Sequence, residues 1–240
     1  MSDLLPSSTA RLPHGALAAA LHHGLIVSCQ APVDSPLHDA RVIAAMAQAA
    51  VRQGAVGVRI DTPEHVRQVR WRLPEIPIIG LWKQSLPGFD VYITPQFHHA
   101  QAIAAAGADI IAIDATLRPR PNGETVRSLT THIHEQLGKL VMADVDSLAA
   151  AVAAVEAGVD LVGTTLYGYT AQTQDQTPPG FDLLRVLVQT LSIPVICEGG
   201  ISTPAQAQQA FALGATAIVV GTAITGIEPL TQAYVRACPR

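Results

Sequence analysis

Four polar residues of complementary chemistry close four short apolar runs in this 240-residue chain: Gln30 ends IVSCQ, Lys83 ends IGLWK, Asp144 ends LVMAD and Glu198 ends PVICE. An amine and a carboxylate are the usual partners in general acid–base transfer. Taken singly, a lysine just past a strand is an ordinary surface charge, and a glutamate before Gly-Gly is an ordinary helix cap. Their shared position at the ends of equivalent runs is what argues for a site. Arg59, in the apolar run GAVGVRI, adds a third kind of charge, and an arginine there is costly unless it meets an anion.

The elements that must position these residues are set by a repeat. AQAAVRQGAVGVRI (47–60), AQAIAAAGADIIAI (100–113), AVAAVEAGVDLVGT (151–164) and AQQAFALGATAIVVG (207–221) each read as an alanine-rich helix, a glycine and a buried strand. The repeat glycines Gly54, Gly107, Gly158 and Gly214 are spaced roughly fifty residues apart, about twice the length of one strand-plus-helix unit. The four runs ending in Gln30, Lys83, Asp144 and Glu198 fall in the gaps, each introduced by a turn or Pro signal. Eight parallel βα units close into a (β/α)8 TIM barrel, whose chemistry sits at the C-terminal ends of its strands.

In such a barrel, strands four apart face each other across the mouth. Lys83 on the third strand then faces Glu198 on the seventh, and Gln30 on the first faces Asp144 on the fifth. A basic and an acidic group so opposed can reach the two faces of a carbon held between them, which suits epimerisation. The chain reads as one barrel domain over 1–240, with a loose extension at 1–11, an N-terminal helix, and a short extra hairpin at VYITP (91–95) after the third strand.

Glycines mark a phosphate cradle. The seventh strand runs into Glu198-Gly199-Gly200, and the eighth into Gly221-Thr222, the loops where this fold commonly presents backbone N–H groups to phosphate. Other partners are set aside by composition and spacing. The net charge is −4, and RQVRWR (67–72) reads as a solvated helix face, so no nucleic acid is expected. No basic n-region with a long apolar stretch opens the chain, and no apolar segment is long enough to span a bilayer, which makes a cytoplasmic protein with no membrane partner the expectation. Cys29, Cys197 and Cys238 have no CxxC spacing and read as reduced thiols. The histidines at 22–23, 98–99, 132 and 134 read as surface or capping residues. No strand end gathers a His and carboxylate cluster, so neither a metal nor any cofactor is expected.

The motifs SCQ (28–30), GAVGVRI (54–60), IGLWK (79–83), IAIDATLRPRP (111–121), MADV (142–145), GTTLYGYT (163–170) with DLL (182–184), and CEGGI (197–201) with GATAIVVGTAI (214–224) together resemble the N-acetylmannosamine-6-phosphate 2-epimerase family. The resemblance runs in order over about residues 12 to 235. It implies interconversion of N-acetylmannosamine 6-phosphate and N-acetylglucosamine 6-phosphate in sialic-acid catabolism, without metal or nucleotide, by a homodimer. Carried over by motif, Lys83 and Glu198 are the catalytic pair. Gln30, Arg59, Asp144 and Tyr167 contact the sugar, and Gly199, Gly200, Gly221 and Thr222 cradle the phosphate. Gly200 departs from the resemblance, since many members have a basic residue there; this chain would then lean on backbone amides. Two other readings stay open from the residues alone: a lysine in a barrel mouth can form a Schiff base, as in an aldolase or lyase on a sugar phosphate, and the barrel could bind a sugar phosphate without catalysis.

Overall fold

Side chains of a barrel strand point alternately inward and outward, so a strand covered on both faces must be apolar at both parities. In the computed structural model, which describes residues 14–239, eight such strands run parallel and close in sequence order. They are β1 Gly24–Cys29, β2 Gly57–Asp61, β3 Ile78–Leu81, β4 Ile110–Asp114, β5 Leu140–Asp144, β6 Leu161–Gly163, β7 Val195–Glu198 and β8 Ala217–Val220. The first five helices are α1 His14–Leu21, α2 Ala40–Arg52, α3 Pro63–Arg72, α4 Phe97–Ala106 and α5 Val126–His132, the last continued by a π turn over Ile133–Leu137. After them come α6 Leu148–Glu156, α7 Phe181–Thr190, α8 Pro204–Ala212, α9 Thr222–Thr225 and α10 Ile227–Ala237.

This is the (β/α)8 barrel that the repeats imply, with α1 as the expected N-terminal helix. The expected loose extension at 1–11 lies outside the described residues. The repeat glycines act as helix stops: Gly107 takes the left-handed φ of 111° and its N–H returns to the Ile103 and Ala104 carbonyls, and the other three also have positive φ. Thr203 caps α8 through the Gln206 N–H, with Pro204 at its first position, as the sequence suggests.

The apolar residues form two cores. One lies between strands and helices, with Ile43, Val58, Ile103 and Leu187 among its members. The other fills the barrel itself with Ile26, Ile79, Leu81, Met142, Ile196 and Val219, and Leu17 and Leu21 of α1 belong to it. Helix α1 therefore plugs the barrel with two leucines rather than trailing as a loose lead-in.

Two of the four strand-end residues need correction. Asp144 and Glu198 do end their strands, but β1 stops at Cys29 and β3 at Leu81, leaving Gln30 one residue and Lys83 two residues beyond. Lys83 instead forms an antiparallel bridge with Ile93, flanked by Gln84 N–H to the Tyr92 carbonyl and Thr94 N–H to the Trp82 carbonyl, both at 2.9 Å. This is the extra hairpin expected at 91–95. Two surface assignments also change. His99 is buried edge-on against Trp82, with ring centroids 5.3 Å apart, and burial pushes its imidazole down to about 4. Arg70 turns inward from α3, pairing with Asp109 and donating to the carbonyls of Leu73, Pro74, Ile76 and Gly107.

Candidate active site

Parity carries charge into the barrel mouth. On β5, Met142 belongs to the barrel core and Asp144 follows two residues later; on β7, Ile196 and Glu198 stand in the same relation. Arg59 is paired in register with Ser28, two beyond barrel-core Ile26. Gln30 and Lys83 keep the parity of Ile26 and Leu81, so they serve the mouth although their backbones have left the sheet.

Arg59 occupies the centre. It is 1% exposed, and its two Nη atoms grip Asp144 in a fork, at 3.2 Å to Oδ1 and 2.6 Å to Oδ2. Nη1 also lies 3.1 Å from Glu198 Oε2. This corrects the expectation of two independent diagonals: two buried carboxylates need a cation, and the long β2 side chain reaches both. Burial works against the Arg59 charge, but the Asp144 and Glu198 carboxylates outweigh it and hold the guanidinium above its ordinary value.

Lys83 stands apart from this ion cluster. Its Nζ donates to Gln30 Oε1 at 2.5 Å, and Gln30 Nε2 donates to Ser28 Oγ at 2.9 Å. A neutral partner leaves desolvation in command. Burial lowers the Lys83 amine below its usual value, Arg59 adds to this, and Asp61, Glu198 and Asp144 oppose it. Glu198 moves the other way: burial, with the Asp144 charge beside it, pushes its carboxyl up to about 7 against the pull of Arg59, Thr165 and Lys83. An amine that gives up its proton more readily and an acid that keeps its proton longer are thus brought toward a common range.

Thr165 couples the two carboxylates. Its hydroxyl lies 2.6 Å from Asp144 Oδ1 and 3.1 Å from Glu198 Oε2, yet it has one proton to donate. When Glu198 is protonated it can donate to Thr165, whose own proton then goes to Asp144. The backbone of Glu198 is held separately by Thr164, whose hydroxyl donates to the Glu198 carbonyl at 2.8 Å and accepts from its N–H at 3.0 Å.

One cavity of about 680 Å³ gathers these groups: its wall includes Gln30, Arg59, Lys83 and Glu198 on one side, and Gly199, Gly200, Gly221 and Thr222 toward α9. Lys83 and Glu198, expected to act on one carbon, share its wall without pairing with each other. Two expected sugar contacts stand elsewhere. Asp144 is fully buried behind Arg59 and Thr165, so it orients those residues and is not part of the wall. Tyr167 is also absent from it; its hydroxyl donates to Gln176 Oε1 at 3.0 Å and its ring lies against Gly180. Tyr169 and Tyr92 line the cavity instead. Burial, aided by Asp144 and Asp114, pushes the Tyr92 phenol up to about 12, keeping it a hydrogen-bond donor. Ser28, Thr165 and Tyr92 were missed by sequence reasoning; strand parity would have found Ser28, and also Thr165, two beyond Gly163 in the parity of barrel-core Leu161, whereas Tyr92 carries no local signal.

Gly200 explains its own departure. At φ 73°, a Cβ there would come within 2.5 Å of Pro178 Cβ and 2.8 Å of its carbonyl carbon, so the 178–179 turn occupies the space a side chain would need. Gly221 is less confined: a Cβ would meet Ser28 Cβ at 3.3 Å. Gly221→Val should therefore fold but place two methyl groups against the cavity wall, raising KM for the phosphorylated substrate by on the order of tenfold or more with a smaller change in kcat. An unchanged KM removes Gly221 from the cradle.

Among the described residues no group of three His, Cys, Asp or Glu could hold a metal ion, and no helix is long and apolar enough to cross a membrane. Cys29 and Cys197 are buried, and burial pushes their thiols up to about 12 and about 11, as small hydrophobes rather than nucleophiles.

A closed (β/α)8 barrel with an amine, a guanidinium and a carboxyl around one cavity at its mouth has the architecture of a barrel enzyme, and its relatives place it among the carbohydrate isomerases. The chain belongs to the NanE family, described as "Putative N-acetylmannosamine-6-phosphate epimerase", whose profile matches residues 43–240. Relatives described in the same way, as 2-epimerases, come from Synechococcus elongatus, 63% identical over 90% of this chain and 94% of the relative, and Thermosynechococcus vestitus, 58% identical over 92% and 96%. The solved N-acetylmannosamine-6-phosphate 2-epimerase of Clostridium perfringens is 37% identical, superposes with a TM-score of 0.90, and is matched over 96% of this chain and 100% of its own.

Proposed function

We propose that this enzyme interconverts N-acetylmannosamine 6-phosphate and N-acetylglucosamine 6-phosphate by removing and returning the proton at C2 of the ring-opened sugar. The carrying observation is that Lys83 and Glu198, on opposed sides of the barrel, line one cavity with proton affinities shifted toward each other. The reaction its Clostridium perfringens relative is named for needs that equipment. Ring opening frees the C1 carbonyl, so the electrons of the C2–H bond can move into a C1 enolate, with the acetamido group still on C2, while the proton passes to the amine. Glu198, carrying a proton, delivers it to C2 from the other face. The turnover ends with an ammonium and a carboxylate, which is the state that runs the reverse reaction. Arg59, in the cavity wall and pinned by Asp144, is a fixed cation that can offset the developing negative charge. Gly199, Gly200, Gly221 and Thr222 take the phosphate through their backbone.

A shared proton gives a bell-shaped rate. The active pair holds one proton, so kcat/KM should rise with pH as Glu198 ionises near 7 and fall again below the ordinary lysine value, where the depressed Lys83 amine loses its proton. A profile flat from pH 6 to 9 contradicts the pair. A second reading has a specific support: Arg59 and Thr165 both hold Glu198, while the Lys83 amine hangs on one neutral partner and is free to return a proton to either face.

The protein is further proposed to act in the cytoplasm as a homodimer. Helix α10 buries none of its residues, and Ile227, Leu230 and Tyr234 stand exposed along it, an apolar face that a second subunit would cover. Light scattering should give twice the chain mass of 25.2 kDa, and a monomer at micromolar concentration refutes it.

A further inference from the structure

The motif IAIDATLRPRP carries more charge than a strand end requires, and its Asp114, Arg118 and Arg120 are not part of the cavity wall. Asp114 is fully buried, and burial raises its carboxyl above the usual aspartate value. A desolvated carboxylate between two arginines needs a structural reason.

Its contacts supply one. The Asp114 N–H donates to the Ile93 carbonyl at 2.8 Å, while Oδ2 accepts from the Tyr92 N–H at 3.4 Å and from Arg118 Nη2 at 2.8 Å. Oδ1 accepts from the Thr116 N–H and hydroxyl, and that hydroxyl oxygen accepts from Arg118 Nε at 2.9 Å. Farther along, buried Arg120 donates Nη1 to the Pro95 carbonyl at 3.0 Å, and Glu124 Oε2 accepts from the Phe97 N–H at 3.1 Å. The hairpin residues gripped this way, Tyr92, Ile93, Pro95 and Phe97, all lie on its return leg or just after it. That same leg holds the lysine, through the Lys83–Ile93 bridge and its two flanking hydrogen bonds.

We propose that the 114–124 segment, with the Asp114–Arg118 pair at its centre, is the positioning device for the Lys83 amine: it fixes the return leg of the hairpin, and the return leg fixes the backbone from which the amine reaches the cavity. Asp114, Arg118 and Arg120 are positioning residues that touch no substrate. The inference rests on the reading of Lys83 as the proton-carrying amine. A hairpin this short is marginal alone, and an arm mounted on a loose one would spend its time in water. The remaining restraint on the Lys83 backbone comes from β2, where Asp61 Oδ1 accepts its N–H at 3.0 Å. Asp61, with Arg59, Asp144 and Glu198 of the mouth, makes up the charge that surrounds the amine, and the hairpin itself adds two titratable groups, Tyr92 in the cavity wall and exposed Asp90.

The test compares Arg118→Ala, Arg118→Lys and Arg120→Met with the unaltered enzyme. Arg118→Ala and Arg120→Met should lower kcat by on the order of tenfold to a hundredfold, as small misplacements of a reacting group do, with KM within about twofold. The alkaline limb of kcat/KM should move upward, because an amine released into water regains the ordinary lysine affinity for its proton. Arg118→Lys keeps a donor for Asp114 and should recover part of kcat. Melting curves on the same samples correct for unfolded protein, and Arg120→Met grips a different point should Arg118→Ala fold poorly. Folded variants with an unmoved limb and unchanged kcat, or with losses entirely in KM, overturn the proposal. Lys83→Ala run alongside separates the two readings. If it is as active as the parent, the lysine reading and this proposal fall together; if it is inactive while the arginine variants keep the parental profile, only the positioning role falls.

Discussion

Replacing Lys83 with alanine is expected to lower kcat by on the order of a hundredfold to ten-thousandfold, the usual contribution of a positioned acid–base group, while leaving the melting temperature close to that of the parent. Stability is spared because the side chain is exposed at the cavity and its amine has a neutral partner, Gln30. Lys83→Arg sharpens the result. It keeps the positive charge, but a guanidinium does not give up its proton, so it should be about as inactive as the alanine variant. Substantial activity in Lys83→Arg would mean that the site needs a charge at 83 and not a proton carrier. Borohydride added with substrate should leave the parent enzyme active, since Lys83 takes a proton and forms no Schiff base in this account; trapped, inactive protein would revive the lyase reading.

Arg59→Met has the second large expectation, and it falls on stability as well as rate. Asp144, fully buried, and Glu198 would face each other across Thr165 without their cation, and breaking a buried ion pair from one side costs about 3–5 kcal/mol. For a chain of this size that is a fall in melting temperature on the order of 10 °C. The loss should shrink as pH falls. With Arg59 gone, the folded Glu198 carboxyl, already raised by burial and now without its cation, binds its proton more tightly than the unfolded one, so its contribution is fullest below the unfolded carboxylate value and is lost as pH rises through the raised folded one. Arg59→Met combined with Asp144→Asn and Glu198→Gln should recover much of the melting temperature and none of the activity. If Arg59→Met melts like the parent at pH 8, the central ion cluster is not the structural element described.

Much of the mouth was legible because a barrel repeats. The alanine-rich runs, their glycine stops and the apolar strands fixed the order of the elements, and parity carried Asp144 and Glu198 inward from Met142 and Ile196. Gln30 and Lys83 were found for the same reason even though neither lies in a strand. What the sequence did not show is who holds whom. An arginine on β2 can reach either of two carboxylates, and only three-dimensional distance shows that Arg59 takes both and leaves Lys83 to Gln30. Loop residues were harder still: Tyr167 and Tyr169 are two apart on the β6–α7 connection, and nothing local says that Tyr169 reaches the cavity while Tyr167 turns to Gln176. The same holds for Pro178, whose packing on Gly200 joins loops over twenty residues apart in sequence.

The central claim is that a proton leaves and returns to C2 within the Lys83 and Glu198 cavity, and proton NMR of N-acetylmannosamine 6-phosphate with the enzyme in deuterium oxide tests it most directly. The account predicts N-acetylglucosamine 6-phosphate as the product, with deuterium at C2. It predicts further that Lys83→Ala and Glu198→Gln each stop epimerisation, and that each still exchanges the C2 proton of a different epimer with solvent. Exchange of the same epimer by both variants would contradict the two-base pair, and exchange of both epimers by Glu198→Gln would replace it with Lys83 acting alone. Product carrying protium at C2, or full activity without Lys83, would contradict the account.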